Sequence, residues 1–174
     1  MYKRQNGFSL IELLIVVAII LIIAGISVPN LLRSRMAANE ASAVGSIGMI
    51  TTAVTEYWFT YDAYPVNLAE LGGTGTAFNC NGAGLIDSVL SAGIRSGYSV
   101  AIVSGTQPVP ASSVPSGCTA GFSDGYVVTA TPVAVGTSGE RAFCSDATGV
   151  IRFNSTGGVS YASPICSTTQ APLQ

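Results

Sequence analysis

Apolar residues run almost unbroken from Gly7 to Pro29, GFSLIELLIVVAIILIIAGISVP, with one acid, Glu12, near the start. Between Leu13 and Ile26 there is no charge at all. As a helix, this stretch is long enough to cross or deeply enter a bilayer. Beyond Pro29 the pattern changes: Ala43, Ile47, Ile50, Val54, Tyr57 and Tyr61 recur at alternating spacings of four and three, which makes one stripe along an amphipathic helix. Segments 8–29 and 30–61 therefore predict a long helix whose second half packs on a globular head. From Phe8 to Phe59 it would span about 75 Å at 1.5 Å per residue, more than twice a ~30 Å hydrocarbon core. Gly25 and Pro29 predict a kink or break between the halves, because Pro29 has no amide hydrogen for the Gly25 carbonyl and glycine is a poor helix former.

Tyr64-Pro65 ends the helical pattern. Residues 62–97 are rich in Gly, Asn and Thr and read as a connecting loop, with a short helix over Leu85–Ala92. Period-two signals then predict strands over Tyr98–Val103, Tyr126–Val135, Arg141–Ser145 and Val150–Asn154, with Asp146-Ala147-Thr148-Gly149 as the turn of a terminal hairpin. Segment 98–174 is thus read as an antiparallel head and tail, the Pro- and Ser-rich interval 107–117 as an exposed loop, and the tail from Ser167 as poorly ordered. The fold class is α+β, a long kinked helix on a small antiparallel four-stranded sheet.

Glu12 is the position the apolar pattern does not explain. A carboxylate in such a helix costs about 2.5–3.5 kcal/mol at mid-membrane, less near the interface, so it asks for a partner. The apolar segment 8–29 contains no Lys or Arg to provide one. Cleavage after Gly7 would create a partner, since Phe8 would then carry a free amine four residues before Glu12, on the same helical face. Lys3 and Arg4 precede the apolar run and mark the cytoplasmic side. A secretory signal peptide would show a small-residue cleavage site after the run, and no A-x-A site follows.

Gly7-Phe8-Ser9-Leu10-Ile11-Glu12 after a short basic leader closely resembles the prepilin motif of type IV pilins and their secretion-system relatives. The detailed match runs from Lys3 to about Pro29. The resemblance implies removal of the leader 1–7 by a prepilin peptidase, N-methylation of Phe8, and retention of the apolar helix as the core of a helical filament. It implies that Glu12 docks on a neighbouring subunit's amino terminus, and that Gly25 and Pro29 mark a segment able to unwind on assembly. It also implies an inner-membrane precursor, identical or related subunits as partners, and a pilus assembly machine that delivers them to an extracellular filament.

Composition then excludes chemistry. The chain of 174 residues has no His, and its formal net charge is −2. Histidine-dependent triads, zinc motifs and Ser-x-x-Lys sites are absent, because the lone Lys lies in the leader. No basic face suits nucleic acid. The glycine-rich run LGGTGTAFNCNGAG lacks the lysine and preceding strand of a phosphate loop and reads as a plain loop. Asp124, Glu140 and Asp146 read as solvated loop acids before a calcium site, and the sequon Asn154-Ser155-Thr156 is a weak signal. Tyr57, Trp58, Phe59, Tyr61 and Tyr64 read as an anchor for the helix end before an electron-transfer path. No cofactor, metal or catalytic residue is expected, and the protein is read as no enzyme.

Cys80, Cys118, Cys144 and Cys166 all follow the apolar helix, on the side expected to be exported, where disulfides form. Three pairings are possible. Sequential pairing, Cys80 with Cys118 and Cys144 with Cys166, closes two loops of moderate length and is the expectation.

The sequence reading is a structural subunit of a type IV pilus-like filament. The alternatives are a pseudopilin of a type II secretion system and, from another class, a membrane-anchored binding module that keeps its leader. Adhesion, motility, DNA uptake and electron transfer are all compatible with the filament.

Overall fold

The computed structural model describes residues 7–73, 78–110, 114, 117, 118, 121 and 124–173. The basic leader residues Lys3 and Arg4, and part of the interval 107–117, lie outside the described residues. The chain divides into two units, Met1–Arg35 and Met36–Gln174. Helix α1 (Leu10–Tyr61) contributes to both.

In the first unit, α1 is apolar on every side from Leu13 to Val28, and none of the side chains of that stretch is buried. A helix hydrophobic all round is stable only in an apolar surrounding, and this one is long and apolar enough to cross a membrane. α1 runs as one helix through Gly25 and Pro29 in the single chain, with Pro29 inside it. One proline removes one i→i−4 bond, while the turns on either side keep theirs. Asn30 Nδ2 adds a bond to the Ile26 carbonyl at 3.3 Å, across the same turn.

In the second unit, the later part of α1 buries Ala43, Ile47, Ile50, Val54 and Tyr57, the stripe at four-and-three spacing. These side chains form one core with Tyr98, Val100, Ile102, Tyr126, Val128, Ala130 and Phe143. Those partners come from an antiparallel sheet of β1 (Ile94–Arg95), β2 (Tyr98–Ser104), β3 (Tyr126–Pro132), β4 (Ala142–Asp146) and β5 (Arg152–Asn154). The sheet has six strands and not four, because β8 (Ala171–Pro172) pairs with β5, register Phe153↔Ala171, and β1 adds an edge beside β2. A separate hairpin joins β6 (Tyr161–Ala162) to β7 (Ile165–Cys166). In the tail from Ser167, expected to be poorly ordered, Ala171–Pro172 are held in the sheet, and Leu173 N–H donates to the Ile151 carbonyl at 2.8 Å.

Burial along β2 alternates, with Tyr98, Val100 and Ile102 inside and Ser99 and Ala101 outside. In β4 every residue is buried. Its second face, with that of β3, is covered by a small cluster of Val127, Cys144 and Cys166, with Val103 and Val159 packed against it. Between β4 and β5 the chain turns through Gly149 at φ 74°, a left-handed conformation that favours glycine, and Gly149 N–H closes on the Asp146 carbonyl at 2.9 Å. Where one short helix was expected over Leu85–Ala92 there is α3 (Ser88–Ser91), capped by Asp87. A second, α2 (Leu68–Leu71), is capped by Asn67.

One polar link crosses a hundred residues of chain. Glu40 on α1 accepts from the Glu140 and Arg141 backbone N–H groups at 3.0 and 3.1 Å and from the Arg141 guanidinium at 2.8 Å. Burial opposes its ionisation, but these donors outweigh burial and hold its pKa below the ordinary 4.5. A carboxylate depressed by folding stabilises the fold above its unfolded pKa, and that contribution is lost as pH falls through the folded value. Asp146 acts in the same sense, because the donors Thr148 and Cys166 outweigh its burial. Glu70 is pushed up by burial and acts oppositely, its ionisation costing stability as pH rises. Glu40→Gln is expected to lower stability at pH 7 by about 2 kcal/mol and to flatten the loss of stability below pH ~4.5, measured by denaturant unfolding across pH 3–7.

Candidate functional site

The acid singled out by the apolar pattern sits at the helix start. Ser9 immediately precedes α1 and Glu12 is its third residue, so Ser9-Leu10-Ile11-Glu12 has the spacing of a capping box. Ser9 N–H donates to Glu12 Oε2 at 3.0 Å, and Leu13 N–H donates to the Ser9 carbonyl at 3.3 Å. The carboxylate thus satisfies one of the orphan donors of the helix end and lies where the helix dipole is positive. This neutral partner is not among the charged ones expected from the apolar pattern, although the Ser-x-x-Glu spacing is its signal in the sequence. Phe8 is 86% exposed. With its carboxylate held beside the Ser9 amide, Glu12 stays at the end of the apolar cylinder, open to a cation from outside the chain.

The neighbouring surface is apolar. Leu10, Leu13, Leu14, Val17, Ala18 and Leu21 line a shallow groove along the helix, all within the first unit. Gly25 and Pro29 lie further along the same helix and do not join Glu12. The arrangement offers no nucleophile paired with a base. What it offers is one carboxylate, one exposed aromatic residue at the cleavage position read from the sequence, and an apolar face.

The remaining candidates fall in the second unit and have local roles. Cys80 is bonded to Cys118 and Cys144 to Cys166, with Cα–Cα distances of 5.6 and 6.1 Å. Asp124 accepts from the Thr106 and Gln107 backbone and from the Thr106 hydroxyl. Asp146 accepts from Thr148 and from Cys166 N–H. Glu140 is exposed, and among the described residues no three acids, Cys or His come together to hold a metal. Asn154 closes a local turn on Thr156. Trp58 stacks on Tyr64 at 4.4 Å, Tyr64 meets Tyr126 at 5.2 Å, and the Tyr57 hydroxyl donates to the Cys80 carbonyl at 2.8 Å. These contacts, all within the second unit, tie the end of α1 to the loop and sheet that follow it.

The family described as the prokaryotic N-terminal methylation motif matches residues 2–28, the segment that contains Gly7, Phe8 and Glu12. The ComG operon protein 3 homolog of Bacillus licheniformis is 32% identical over 72 residues, covering 41% of this chain and 74% of that protein. The chain belongs to the type IV pilin and type II secretion pseudopilin superfamily. The Type IV wide pilus major component PilA4 of Thermus thermophilus is 38% identical over 69 residues, 40% of this chain and 53% of that protein. The Type II secretion system core protein G of Aeromonas hydrophila is 35% identical over 63 residues, 36% of this chain and 44% of that protein. The chain thus spans about half the length of these last two relatives. No solved structure matches it significantly. The α+β architecture, with a long apolar helix continuing into a segment packed on an antiparallel sheet, is that of the type IV pilin fold.

Proposed function

We propose that the protein is a structural subunit of a type IV pilus-like extracellular filament. Residues 1–7 are a leader cut off between Gly7 and Phe8 by a prepilin peptidase, and Phe8 is then N-methylated. Residues 8–29 anchor the precursor in the inner membrane and later form the filament core, while the amphipathic half and the disulfide-bonded sheet face outward. The observation that carries this reading is Glu12, the one acid of segment 8–29, held at the start of a stretch that is apolar and exposed on all sides.

The proposed mechanism is physical. In the membrane, the carboxylate at the Ser9 amide is satisfied well enough to be tolerated and remains available to a second, charged donor. The methylated amine of Phe8 on a neighbouring copy supplies that donor, and the pair fixes the axial position of one helix against the next. Lipid and filament core are both apolar, so burial alone does not drive transfer between them, and an assembly machine must supply the work. The names of the secretion-system relatives favour a second reading, a pseudopilin with the same processing and the same docking step but no surface filament.

Intact mass and N-terminal sequencing of protein sheared from the cell surface, followed by imaging of that fraction, test the proposal. The expected result is filaments whose subunits begin at methylated Phe8 and contain two disulfides. Processed protein without filaments would favour the pseudopilin. A mature membrane protein that retains Met1–Gly7 would sink both and leave the anchored binding module.

A further inference from the structure

Among the described residues, two arginines have no side-chain partner in their own chain. Arg95 pairs with Asp87 at 2.9 Å, Arg141 with Glu40 at 2.7 Å, and Arg152 donates to the Gln170 carbonyl at 3.2 Å. Arg33 and Arg35 are exposed and make no ion pair or side-chain hydrogen bond among the described residues. Arg35 shares a helix face with Leu31 and Leu32, at spacings of four and three, and those leucines are 69% and 53% exposed. The face thus presents two apolar side chains beside an unneutralised cation.

The second unit carries the complement of that face. A groove of about 440 Å³ runs between α1 and α3. Its floor includes Ala53, Ile86 and Leu90, all buried, and its rim includes Met49, Glu56 and Asp87. Asp87 is already shared between the α3 backbone and Arg95. Glu56 is exposed, and its carboxylate has no cation or hydrogen-bond donor among the described residues. The groove therefore pairs an apolar recess with an open negative charge at its edge.

We propose that this groove receives the Leu31–Arg35 stretch of a second copy of the chain, with Leu31 and Leu32 against the apolar floor and Arg35 on Glu56. The inference rests on the filament reading and adds to it a contact distinct from the one at Glu12. Opposite charges at a packed interface fix register and reject wrong alignments, which suits a contact repeated at every subunit. Arg33 points away from this face and takes no part.

Charge exchange in the full-length chain, expressed in its native cell, tests the contact. Arg35→Glu alone and Glu56→Arg alone are each expected to reduce surface filaments by about ten-fold or more, because each sets like charges against one another. The double variant Arg35→Glu/Glu56→Arg is expected to recover filament yield to within about three-fold of the parent, a difference of well under 1.4 kcal/mol. Leader cleavage, membrane level and protease resistance of the second unit should stay unchanged in all three, since both side chains are exposed. Normal assembly by either single variant, or a double variant no better than the singles, would overturn the contact. So would loss of Arg35→Glu from the membrane fraction, which would place this arginine at anionic lipid headgroups. Glu12→Ala separates the two levels: filament loss there, with normal assembly by the charge variants, removes this inference and leaves the filament reading standing.

Discussion

Replacing Glu12 by Ala is expected to remove surface filaments almost entirely. Truncating one member of a desolvated charge pair costs about 2–5 kcal/mol, or roughly 30-fold to several-thousand-fold per docking event. Failure to enter the membrane cannot account for such a loss, since removing a carboxylate from an apolar helix makes insertion easier. Helix capping is a second role of this residue and has to be separated from docking. Glu12→Gln does so, because the amide oxygen still accepts from Ser9 N–H, as Gln does at this position of a capping box. If charge is what docks the subunit, Glu12→Gln assembles as poorly as Glu12→Ala although its helix begins normally. The readout is the amount of sheared filament relative to processed protein in the membrane, with leader cleavage followed by mass. Abundant filaments from Glu12→Gln would show that the charge is not used.

Breaking the Cys144–Cys166 bond with a double Ser substitution is expected to destabilise the second unit by about 3 kcal/mol, from the entropy of a loop closed over a sequence separation of 22. For a unit of this size that corresponds to a fall of roughly 10 °C in Tm. The bond does more than close a loop. It holds Cys166 against Val127 and the outer face of β3, and Cys166 N–H donates to the buried Asp146 carboxylate at 3.0 Å. The variant should therefore lose protease resistance first around β6 and β7, while the core between α1 and the sheet persists. Thermal unfolding of the processed protein in detergent, with mapping of the first proteolytic cuts, checks both parts. An unchanged Tm would mean that the β7 segment is held by packing alone.

Much of the fold is legible because it rests on local periodicity. The stripe from Ala43 to Tyr57 is buried along one side of α1, and strands lie at Tyr98, Tyr126 and Ala142. The β1, β6, β7 and β8 pieces have two residues each, too few for any alternation to show. They are strands only because a neighbouring strand offers free N–H and C=O groups. Gly25 and Pro29 weaken the helix locally, yet α1 runs through both as one 52-residue helix, because a proline removes a single i→i−4 bond. At the candidate site, charge drew attention to Glu12, while its neutral partner Ser9 was hidden in plain spacing.

The sequence by itself determined the apolar helix, the amphipathic stripe, the α+β class and the prepilin-like motif, because each is a pattern among residues within a few turns or one strand of each other. Only the tertiary structure decided which chain segments cover the second face of β3, which donors surround Glu40 from a hundred residues away, and which arginines are left without a partner among the described residues. Those outcomes depend on which distant groups meet once the core has closed. Burial then sets a cost for every polar group that finds no partner, and no local pattern along the chain records that.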